Sequence, residues 1–386
     1  MNKFIKCLTL LLMAFSATIF TINKGVVLAE TSNINSDCKS SYLIDYNSKK
    51  VLSSHNENER LPIASMTKIM LLLLAYENVD NGTLSLDESV IVSENASSMG
   101  GSQVFLEKNG EYKVGDLLKA ITISSANDAS VAIAEKLYGS EQECVNAMNE
   151  KVEELKLKNT LFANCTGLPK PMQYSSAKDI TLIFAELISH EKYFENSTIW
   201  LDSISHKSNS TEMSNTNKLI KYYEGCDGGK TGFTREAGFC LTATAKRGNM
   251  RLISCCIGAS DSKTRFKVVS DNFNYGFNNY CNKVVIEKET PVFENVKVSS
   301  SNNVKVNVYP EKNYYVFSKR NEKLDVSFEY NFDKLKAPIS KGEVVGEIIV
   351  CVNGVENGRV NLIVNENVKK ANFFENIKNI ANSWAN

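Results

Sequence analysis

The stretch LPIASMTKIMLLLLAYENV, at residues 61–79, gives the strongest structural signal in this chain. After Pro62, no glycine or proline interrupts this apolar run until Gly82. A run that is apolar on every face predicts a helix buried inside a domain. It is too short to span a bilayer, and Lys68 and Glu77 make it too charged to do so. Residues 61–79 therefore predict a central helix of a globular domain.

Within this stretch, Ser65 and Lys68 are three residues apart, so on a helix they lie on one face, one turn apart. The lysine amine can then reach the serine hydroxyl, which is a poor nucleophile until a base removes its proton. Lys68 can act as that base only if its pKa falls from about 10.4 towards neutrality, at a cost of about 4 kcal/mol. Burial and neighbouring cations can cause such a fall. The simpler alternatives are that Lys68 forms a structural ion pair, or that the stretch is not a helix.

Two further motifs follow in order along the chain, Ser125-Ala126-Asn127 and Lys230-Thr231-Gly232. Ser-x-x-Lys is a weak signal alone because it occurs at four other serines, whereas Lys-Thr-Gly occurs once. The three motifs in this order are the signature of serine acyl-transferases that react with penicillin. Their order favours the catalytic interpretation of Lys68 over the structural one.

Longer stretches around these motifs resemble one bacterial enzyme family. The matching stretches are Asn58–Lys68, Met99–Val104, Ser124–Ser130, Asn164–Pro169, Tyr174–Asp179 and Asp227–Thr234. Over roughly residues 37–283 the chain resembles the serine-type D-alanyl-D-alanine carboxypeptidases, the low-molecular-mass penicillin-binding proteins of cell-wall maturation. Cys165 replaces a proline that we expect in this family, and Ala126 replaces its more frequent glycine.

The resemblance implies a catalytic set and a substrate-binding set of residues. Ser65 would be the acylated nucleophile, Lys68 the base for acylation, and Ser125 the relay that passes a proton to the leaving amine. The substrate-binding residues would be Asn127, Lys230, Thr231, Gly232 and Phe233. Asn127 would hold the substrate amide, and Lys230 its terminal carboxylate. The backbone N–H groups of Ser65 and Phe233 would form the oxyanion hole, near the positive end of the helix dipole.

The implied reaction removes the terminal D-alanine from peptidoglycan pentapeptide stems through an acyl-Ser65 intermediate, in cell wall biogenesis and remodelling. β-Lactams would be covalent inhibitors, and neither a cofactor nor a metal is expected. With three histidines and no His-Glu-x-x-His motif, the sequence gives almost no support to a zinc peptidase.

Three alternative functions remain open. A β-lactamase and a DD-endopeptidase can both be built on the same scaffold. A class A β-lactamase adds a glutamate for deacylation, and the sequence alone does not place one. The third alternative is a catalytically silent penicillin-binding wall protein. The intact catalytic residues count against it: Ser65, Lys68, Ser125 and Lys230.

Residues 1–29 have the pattern of a secretory signal peptide. Lys3 and Lys6 precede an apolar core at residues 7–22, and Val27-Leu28-Ala29 supplies a small-residue cleavage site. An uncleaved membrane anchor is the alternative. We therefore expect an exported protein at the outer face of the cytoplasmic membrane or in the cell wall. Removing this segment leaves 41 basic against 44 acidic residues, so no nucleic-acid partner is expected.

We predict a catalytic domain at residues 30–283 and a small β-rich domain at residues 284–366. The resemblance implies that the first is an α/β transpeptidase/β-lactamase-like domain, whose antiparallel sheet carries Lys230-Thr231-Gly232 on one strand and is flanked by helices. The second rests on Val304–Val308 and Leu324–Tyr330, which alternate with period two. The nine cysteines of the mature chain are mostly expected to be small buried hydrophobes, with at least one free thiol.

Residues 367–386 return to a helical period. An apolar stripe and three lysines define the pattern: Phe373, Ile377, Ile380 and Trp384, with Lys369, Lys370 and Lys378. The pattern resembles the C-terminal amphipathic helix by which the family lies on the membrane surface. We therefore expect a peripheral membrane attachment, and a helix packed back on the protein is the alternative.

Overall fold

The computed structural model describes residues 37–375 of the chain. The predicted signal peptide at residues 1–29 and residues 376–386 of the predicted C-terminal helix lie outside the described residues. Between residues 37 and 375, none of the helices has the length and apolar character needed to cross a membrane.

Helices and strands occur throughout the described residues, from Ser40 onward. In chain order, the strands are β1 (Ser40–Asp45), β2 (Val51–His55), β3 (Ser89–Ile91), β4 (Glu111–Lys113), β5 (Leu201–Ser205), β6 (Ser210–Ser214), β7 (Cys226–Thr234), β8 (Gly238–Arg247), β9 (Met250–Ala259), β10 (Tyr280–Ile286), β11 (Phe293–Lys297), β12 (Lys305–Pro310), β13 (Tyr314–Lys319), β14 (Val326–Phe332), β15 (Val344–Val352) and β16 (Val355–Val364). The helices are α1 (Lys68–Asp80), α2 (Glu94–Ser97), α3 (Val114–Ser124), α4 (Asn127–Tyr138), α5 (Glu141–Glu154), α6 (Ala177–Leu187), α7 (Tyr193–Ser197), α8 (Leu219–Tyr222) and α9 (Ser262–Asn279).

A five-stranded antiparallel sheet in the order β2-β1-β9-β8-β7 forms the centre of the predicted catalytic domain. Helices cover both of its faces, so its inner strands β8 and β9 are buried along most of their length. On β1, Leu43 packs in the cluster with α9, whereas Tyr42 and Ile44 pack in the cluster with α1 and α6. Strand β7, which carries Lys230, lies at one edge. The prediction of an antiparallel sheet flanked by helices is confirmed.

Helix α1 confirms the buried helix predicted within residues 61–79, since ten of its thirteen residues are buried. Its start differs from the prediction. Ser65 lies in a 3₁₀ turn, Ala64–Thr67, and the α-helix begins only at Lys68. Ala64 has a φ of +49°, a left-handed conformation that does not continue into an α-helix. Ser65 and Lys68 are nevertheless one turn apart.

The C-terminal region is built on a second antiparallel sheet, in the order β11-β12-β16-β15-β14, with β10 and β13 as a separate pair. Strands β12 and β14 confirm the two period-two segments that predicted an all-β region. Strand β10 runs across the predicted boundary at residue 283. It joins the two regions, because Asn282 Nδ2 donates to Asp45 Oδ1 at 2.9 Å and Tyr280 stacks on Phe317.

The C-terminal helix begins later than the predicted residue 367. Val368 forms a β-bridge with Ile339, with N–H···O bonds of 2.9 Å in both directions, so its backbone is not available for a helix. The helix begins at Phe373, directly after Asn372, whose Oδ1 accepts the Glu375 N–H at 2.9 Å. The prediction of a helix at residues 367–372 is therefore wrong.

Candidate active site

The backbone around Ser65 is held by two glycines from distant parts of the chain. A Cβ atom on Gly232 of β7 would lie 2.6 Å from Ile63 O and 3.1 Å from Ser65 N. A Cβ atom on Gly167, whose φ is +83°, would lie even closer to the backbone oxygen of Ala64. Only glycine fits at either position, because any side chain would collide with backbone. The edge strand and the loop at residues 164–168 therefore close directly on the turn that carries Ser65.

Lys68 is completely buried, and its amine is surrounded by three oxygen atoms. Its Nζ donates to Asn127 Oδ1 at 2.7 Å and to Thr166 O at 2.5 Å, and it lies 3.1 Å from Ser65 Oγ. Burial lowers the pKa of Lys68 to about 7, although the neighbouring Cys165 and Asp128 act to raise it. The fall that general-base chemistry requires is therefore present in the folded protein.

The hydrogen bonds of Lys68 define where its lone pair points. A neutral amine has two N–H donors and one lone pair, and the amide oxygen of Asn127 and the carbonyl of Thr166 can only accept. These two acceptors take both donors. The lone pair is then left for the third neighbour, the Ser65 hydroxyl, which donates to it. This is the arrangement that removes a proton from a nucleophile.

The turn between α3 and α4 carries the second motif. Ser125 ends α3 with a φ of 62°, a left-handed conformation that is uncommon for a residue with a side chain. Asn127 N–H donates to Ser102 O at 2.7 Å, and its Nδ2 donates to Gly100 O at 2.6 Å. Asp128 fixes the same loop, since its carboxylate accepts the backbone N–H groups of residues 104 and 106. The second motif is thus held rigidly over α1.

Lys230 reaches the second motif from β7. Its Nζ donates to Ser125 Oγ at 2.8 Å, and its side chain is buried. Burial lowers the pKa of Lys230 well below its usual value, and the positive charges of Lys68 and Arg265 lower it further. The site therefore contains two buried amines, and burial disfavours the charged form of each.

Strand β7 is tethered along its outer edge, where no further strand pairs with it in the described sheet. The Gly229 N–H donates to Tyr193 Oη at 3.1 Å, and Thr231 Oγ1 donates to Thr216 Oγ1 at 2.9 Å. At its start, Arg251 forms a bidentate ion pair with Asp227. These contacts hold the edge strand in place and so position Lys230.

The structure brings the sequence-predicted residues together. Ser65, Lys68, Asn127, Ser125 and Lys230 belong to two hydrogen-bonded groups around one turn, and Gly232 lies against that turn. Thr231 and Phe233 flank Gly232 on the strand. The Phe233 side chain is exposed and packs on Phe239, with ring centroids 4.3 Å apart. Within residues 37–375, no group of three His, Cys, Asp or Glu side chains is placed to hold a metal ion.

Three contributors to the site were missed in the sequence. The Thr166 carbonyl binds Lys68, but a backbone atom leaves no signal in residue type. Glu141 Oε1 accepts the N–H of Cys165 at 3.2 Å and its S–H at 3.4 Å, which anchors the residue before Thr166. Arg265, buried on α9, donates to Gly232 O at 3.2 Å. The sequence offered one signal for Arg265, a single charged residue on the apolar face of α9.

A serine and a buried lysine at the start of a helix, beside an edge strand that carries Lys-Thr-Gly, define the class of serine acyl-transferases that react with penicillin. The chain belongs to the D-alanyl-D-alanine carboxypeptidase family, since a family model of that description matches residues 27–261. A second family model, for the C-terminal domain of penicillin-binding protein 5, matches residues 280–370.

Similar proteins cover almost the whole chain. D-alanyl-D-alanine carboxypeptidase DacF of Bacillus subtilis (strain 168) is 38% identical over 378 residues, which are 97% of this chain and 96% of the relative. Penicillin-binding protein 5 from Haemophilus influenzae superposes with a TM-score of 0.67 at 28% identity, covering 86% of this chain and 98% of that chain. Ampicillin-bound penicillin-binding protein D2 from Listeria monocytogenes gives a TM-score of 0.56 at 30% identity, covering 62% of this chain and 98% of that chain.

Proposed function

We propose that this protein is a serine DD-carboxypeptidase that removes the terminal D-alanine from peptidoglycan pentapeptide stems and is inhibited by β-lactams. The observation that carries this proposal is the buried Lys68 amine, which donates to Asn127 Oδ1 and Thr166 O and lies 3.1 Å from Ser65 Oγ. Family membership supplies the substrate class. The process served is the biogenesis and remodelling of the cell wall.

Acylation begins when Ser65 Oγ attacks the carbonyl carbon of the penultimate D-alanine and Lys68 Nζ takes its proton. The backbone N–H groups of Ser65 and Phe233 stabilise the oxyanion. The C–N bond then breaks, and the leaving amine receives a proton through Ser125. Water hydrolyses the acyl-Ser65 ester, which releases the shortened stem and restores the hydroxyl.

Recognition of the free carboxylate is assigned to Lys230, with Thr231 beside it and Arg265 as a further positive charge behind the strand. An incoming carboxylate raises the pKa of Lys230, because an opposite charge favours the protonated amine. Lys230→Ala should therefore lose mainly the recognition of the terminal carboxylate. A peptide amidated at its C-terminus should be a poor substrate for the wild type, and equal rates on the amidated and free peptides would shift weight to an endopeptidase.

The same chemistry distinguishes a carboxypeptidase from a β-lactamase. The three oxygen atoms around Lys68 come from an alcohol, an amide and a backbone carbonyl, so none belongs to a carboxylate that could activate water in the class A manner. We expect steady release of D-alanine from a pentapeptide, little dimer formation with an added acceptor amine, and slow recovery after benzylpenicillin. Rapid multiple turnover of penicillin would identify a β-lactamase instead, and a dominant dimer product would identify a transpeptidase.

Export and membrane attachment are part of the proposal. The signal-peptide pattern of residues 1–29 supports export, and the exposed Phe373 and Phe374 support attachment at the C-terminal end. Val368 and Ala371 are buried on the β-rich region, so a clean truncation ends at Asn372. This shortened chain should be found in the soluble fraction with full activity on small peptides. Loss of activity or folding would favour the packed-helix alternative.

A further inference from the structure

Trp200, Lys221 and Tyr222 form an aromatic surface beside β7, and the proposed reaction does not use it. Trp200 directly precedes β5, and the other two residues belong to α8. The two rings meet almost edge to face, with centroids 6.2 Å apart and an angle of 74° between their planes. Tyr222 is 70% exposed, although covering an aromatic ring is favourable. The aromatic surface is therefore free to pack against another molecule.

Lys221 lies against both rings of the aromatic surface. Its Nζ is 5.2 Å from the centroid of the Trp200 ring and 5.8 Å from that of the Tyr222 ring. Attraction between the ammonium group and the ring faces limits the positions that this long side chain samples. Among residues 37–375, neither Lys221 nor the exposed Lys218 forms an ion pair. The aromatic surface thus presents a positioned cation that has no anionic partner in the described part of the protein.

Two hydrogen bonds connect the aromatic surface to strand β7. Thr231 Oγ1 donates to Thr216 Oγ1 at 2.9 Å, and the N–H of the adjacent Asn215 donates to Trp200 O at 2.9 Å. Each step is about one strand spacing, so the backbone of Trp200 lies roughly 10 Å from that of β7. The aromatic surface is therefore continuous with the part of the site to which recognition of the terminal carboxylate is assigned.

The chemistry of the aromatic surface fits a strand of peptidoglycan. The faces of aromatic rings pack on the C–H groups of sugar rings, and an ammonium group pairs with the free carboxylates of peptide stems. The reacting stem ends at Lys230, so the aromatic surface lies beyond its terminus and is open to another strand of the wall. Two aromatic side chains and one lysine cannot by themselves supply the roughly 800 Å² per partner of a stable protein interface.

We propose that the aromatic surface is an exosite that binds a neighbouring peptidoglycan strand while Ser65 reacts with a stem beside it. Trp200 and Tyr222 pack on a sugar ring, and Lys221 pairs with a stem carboxylate. Binding at the exosite raises the local concentration of stems around Ser65, so the polymer is a better substrate than a soluble stem of the same sequence. This inference rests on the proposed function, because that function supplies the polymeric substrate.

The test compares the release of D-alanine from sacculi that retain pentapeptide stems with its release from a soluble pentapeptide without sugar. The variants are Tyr222→Ala and Lys221→Gln. Their matched controls are Tyr330→Ala, which also removes an exposed ring from an aromatic pair, and the exposed Lys158→Gln. Tyr222→Ala should raise the KM for sacculi about fivefold with kcat unchanged, as expected for the loss of one aromatic contact. All variants should keep the wild-type kcat/KM on the soluble peptide.

Salt and a neutral sugar separate the two parts of the exosite. Lys221→Gln should raise the KM for sacculi about threefold at low ionic strength, and this effect should vanish near about 1 M salt because exposed charges are then screened. A soluble oligomer of N-acetylglucosamine, which has no carboxylate, should slow the wild type on sacculi but not on the soluble peptide. The oligomer should compete as well against Lys221→Gln as against the wild type, and less well against Tyr222→Ala.

Two outcomes would overturn the exosite and leave the proposed function intact. One is an equal KM of the wild type and both variants for sacculi, and the other is equal slowing of both variants on the two substrates. A lower mass of Tyr222→Ala than of the wild type in sedimentation would assign the aromatic surface to a contact between copies of this chain, which also overturns the exosite. A wild type that releases no D-alanine from either substrate would overturn the proposed function and the exosite together.

Discussion

The catalytic region and the C-terminal sheet differ in what they bury. Around Ser65 the protein encloses two lysines, Lys68 and Lys230, whose amines contact neutral oxygen atoms. In residues 284–375 the buried polar side chains are only Ser301 and Ser318, and the remaining interior is apolar. Burying an ammonium group without a carboxylate partner costs free energy. A buried lysine of this kind is therefore retained for a reason other than stability. The first region therefore carries a cost in stability, in the form of two buried amines, that the second does not.

The largest expected effect tests the chemical side of this comparison. Ser65→Ala should reduce D-alanine release by about 10⁶ and abolish the mass that benzylpenicillin adds to the peptide containing Ser65, as loss of a nucleophile does in subtilisin. The fold should be retained, since Ser65 Oγ makes no contact that the sheet needs. Ser98→Ala, at an exposed position directly after α2, is the control. Labelling of Ser125, or activity surviving in Ser65→Ala, would remove Ser65 from its role.

The second effect tests the cost of burying Lys68. Its pKa is about 10.4 in the unfolded chain and about 7 in the folded protein, so between these values the unfolded state holds one more proton. The free energy of unfolding of the wild type, relative to Lys68→Met, should therefore rise with pH by about 1.4 kcal/mol per pH unit, or about 4 kcal/mol from pH 7 to pH 10. Below pH 7 both states are protonated, and the full penalty is present.

Urea unfolding at a series of pH values measures this difference, with the exposed Lys158→Met as control. The same protonation should lower kcat/KM as pH falls through about 7, because the base is then charged. A pH-independent stability difference would mean that Lys68 keeps its proton in the folded protein, and the general base would have to be sought elsewhere.

The third effect tests the structural side. Leu362 on β16 is fully buried in the C-terminal core, and Leu362→Ala should lower the free energy of unfolding by about 3 kcal/mol through lost packing and a cavity. D-alanine release from a small peptide should stay unchanged while the protein is folded. Val355→Ala, at an exposed position in the same sheet, serves as the control. A loss of kcat in folded Leu362→Ala would show that the two regions are not independent.

The smallest expected effect concerns Glu141, which does not contact Lys68 but anchors the residue before Thr166. Glu141→Ala removes the acceptor for the Cys165 N–H and S–H, so the Thr166 carbonyl can move away from Lys68. We expect kcat to fall about tenfold, or about 1.4 kcal/mol, with little change in KM. Glu141→Gln keeps an oxygen acceptor and should restore most of the activity, and the exposed Glu143→Ala should have no effect. If Gln and Ala behave alike, the anchor is not the reason for the loss.

The sequence carried enough information for the helix, the motif residues and the strands. Helix α1 follows from an uninterrupted apolar run, and the strands at residues 305–310 and 326–332 follow from alternation with period two. The residues of the three motifs follow from their spacing and order, whereas Phe233 and the individual roles rest on the family resemblance. These signals are local and depend only on the types of side chain, so they can be recognised without coordinates.

The working of the site depends on contacts that form only when the chain is folded. The Thr166 carbonyl lies 98 residues from Lys68 in the chain, and Asn127 lies 59 residues away, yet together they leave one lone pair for Ser65. The pKa of Lys68 depends on the burial that the whole domain provides, and the aromatic surface beside β7 depends on two segments that are not adjacent in sequence. The late start of the C-terminal helix has the same origin, because the bridge from Val368 to Ile339 competes for the backbone. Long-range backbone hydrogen bonds and burial arise only when the chain packs, so they cannot be inferred from the types of the residues involved.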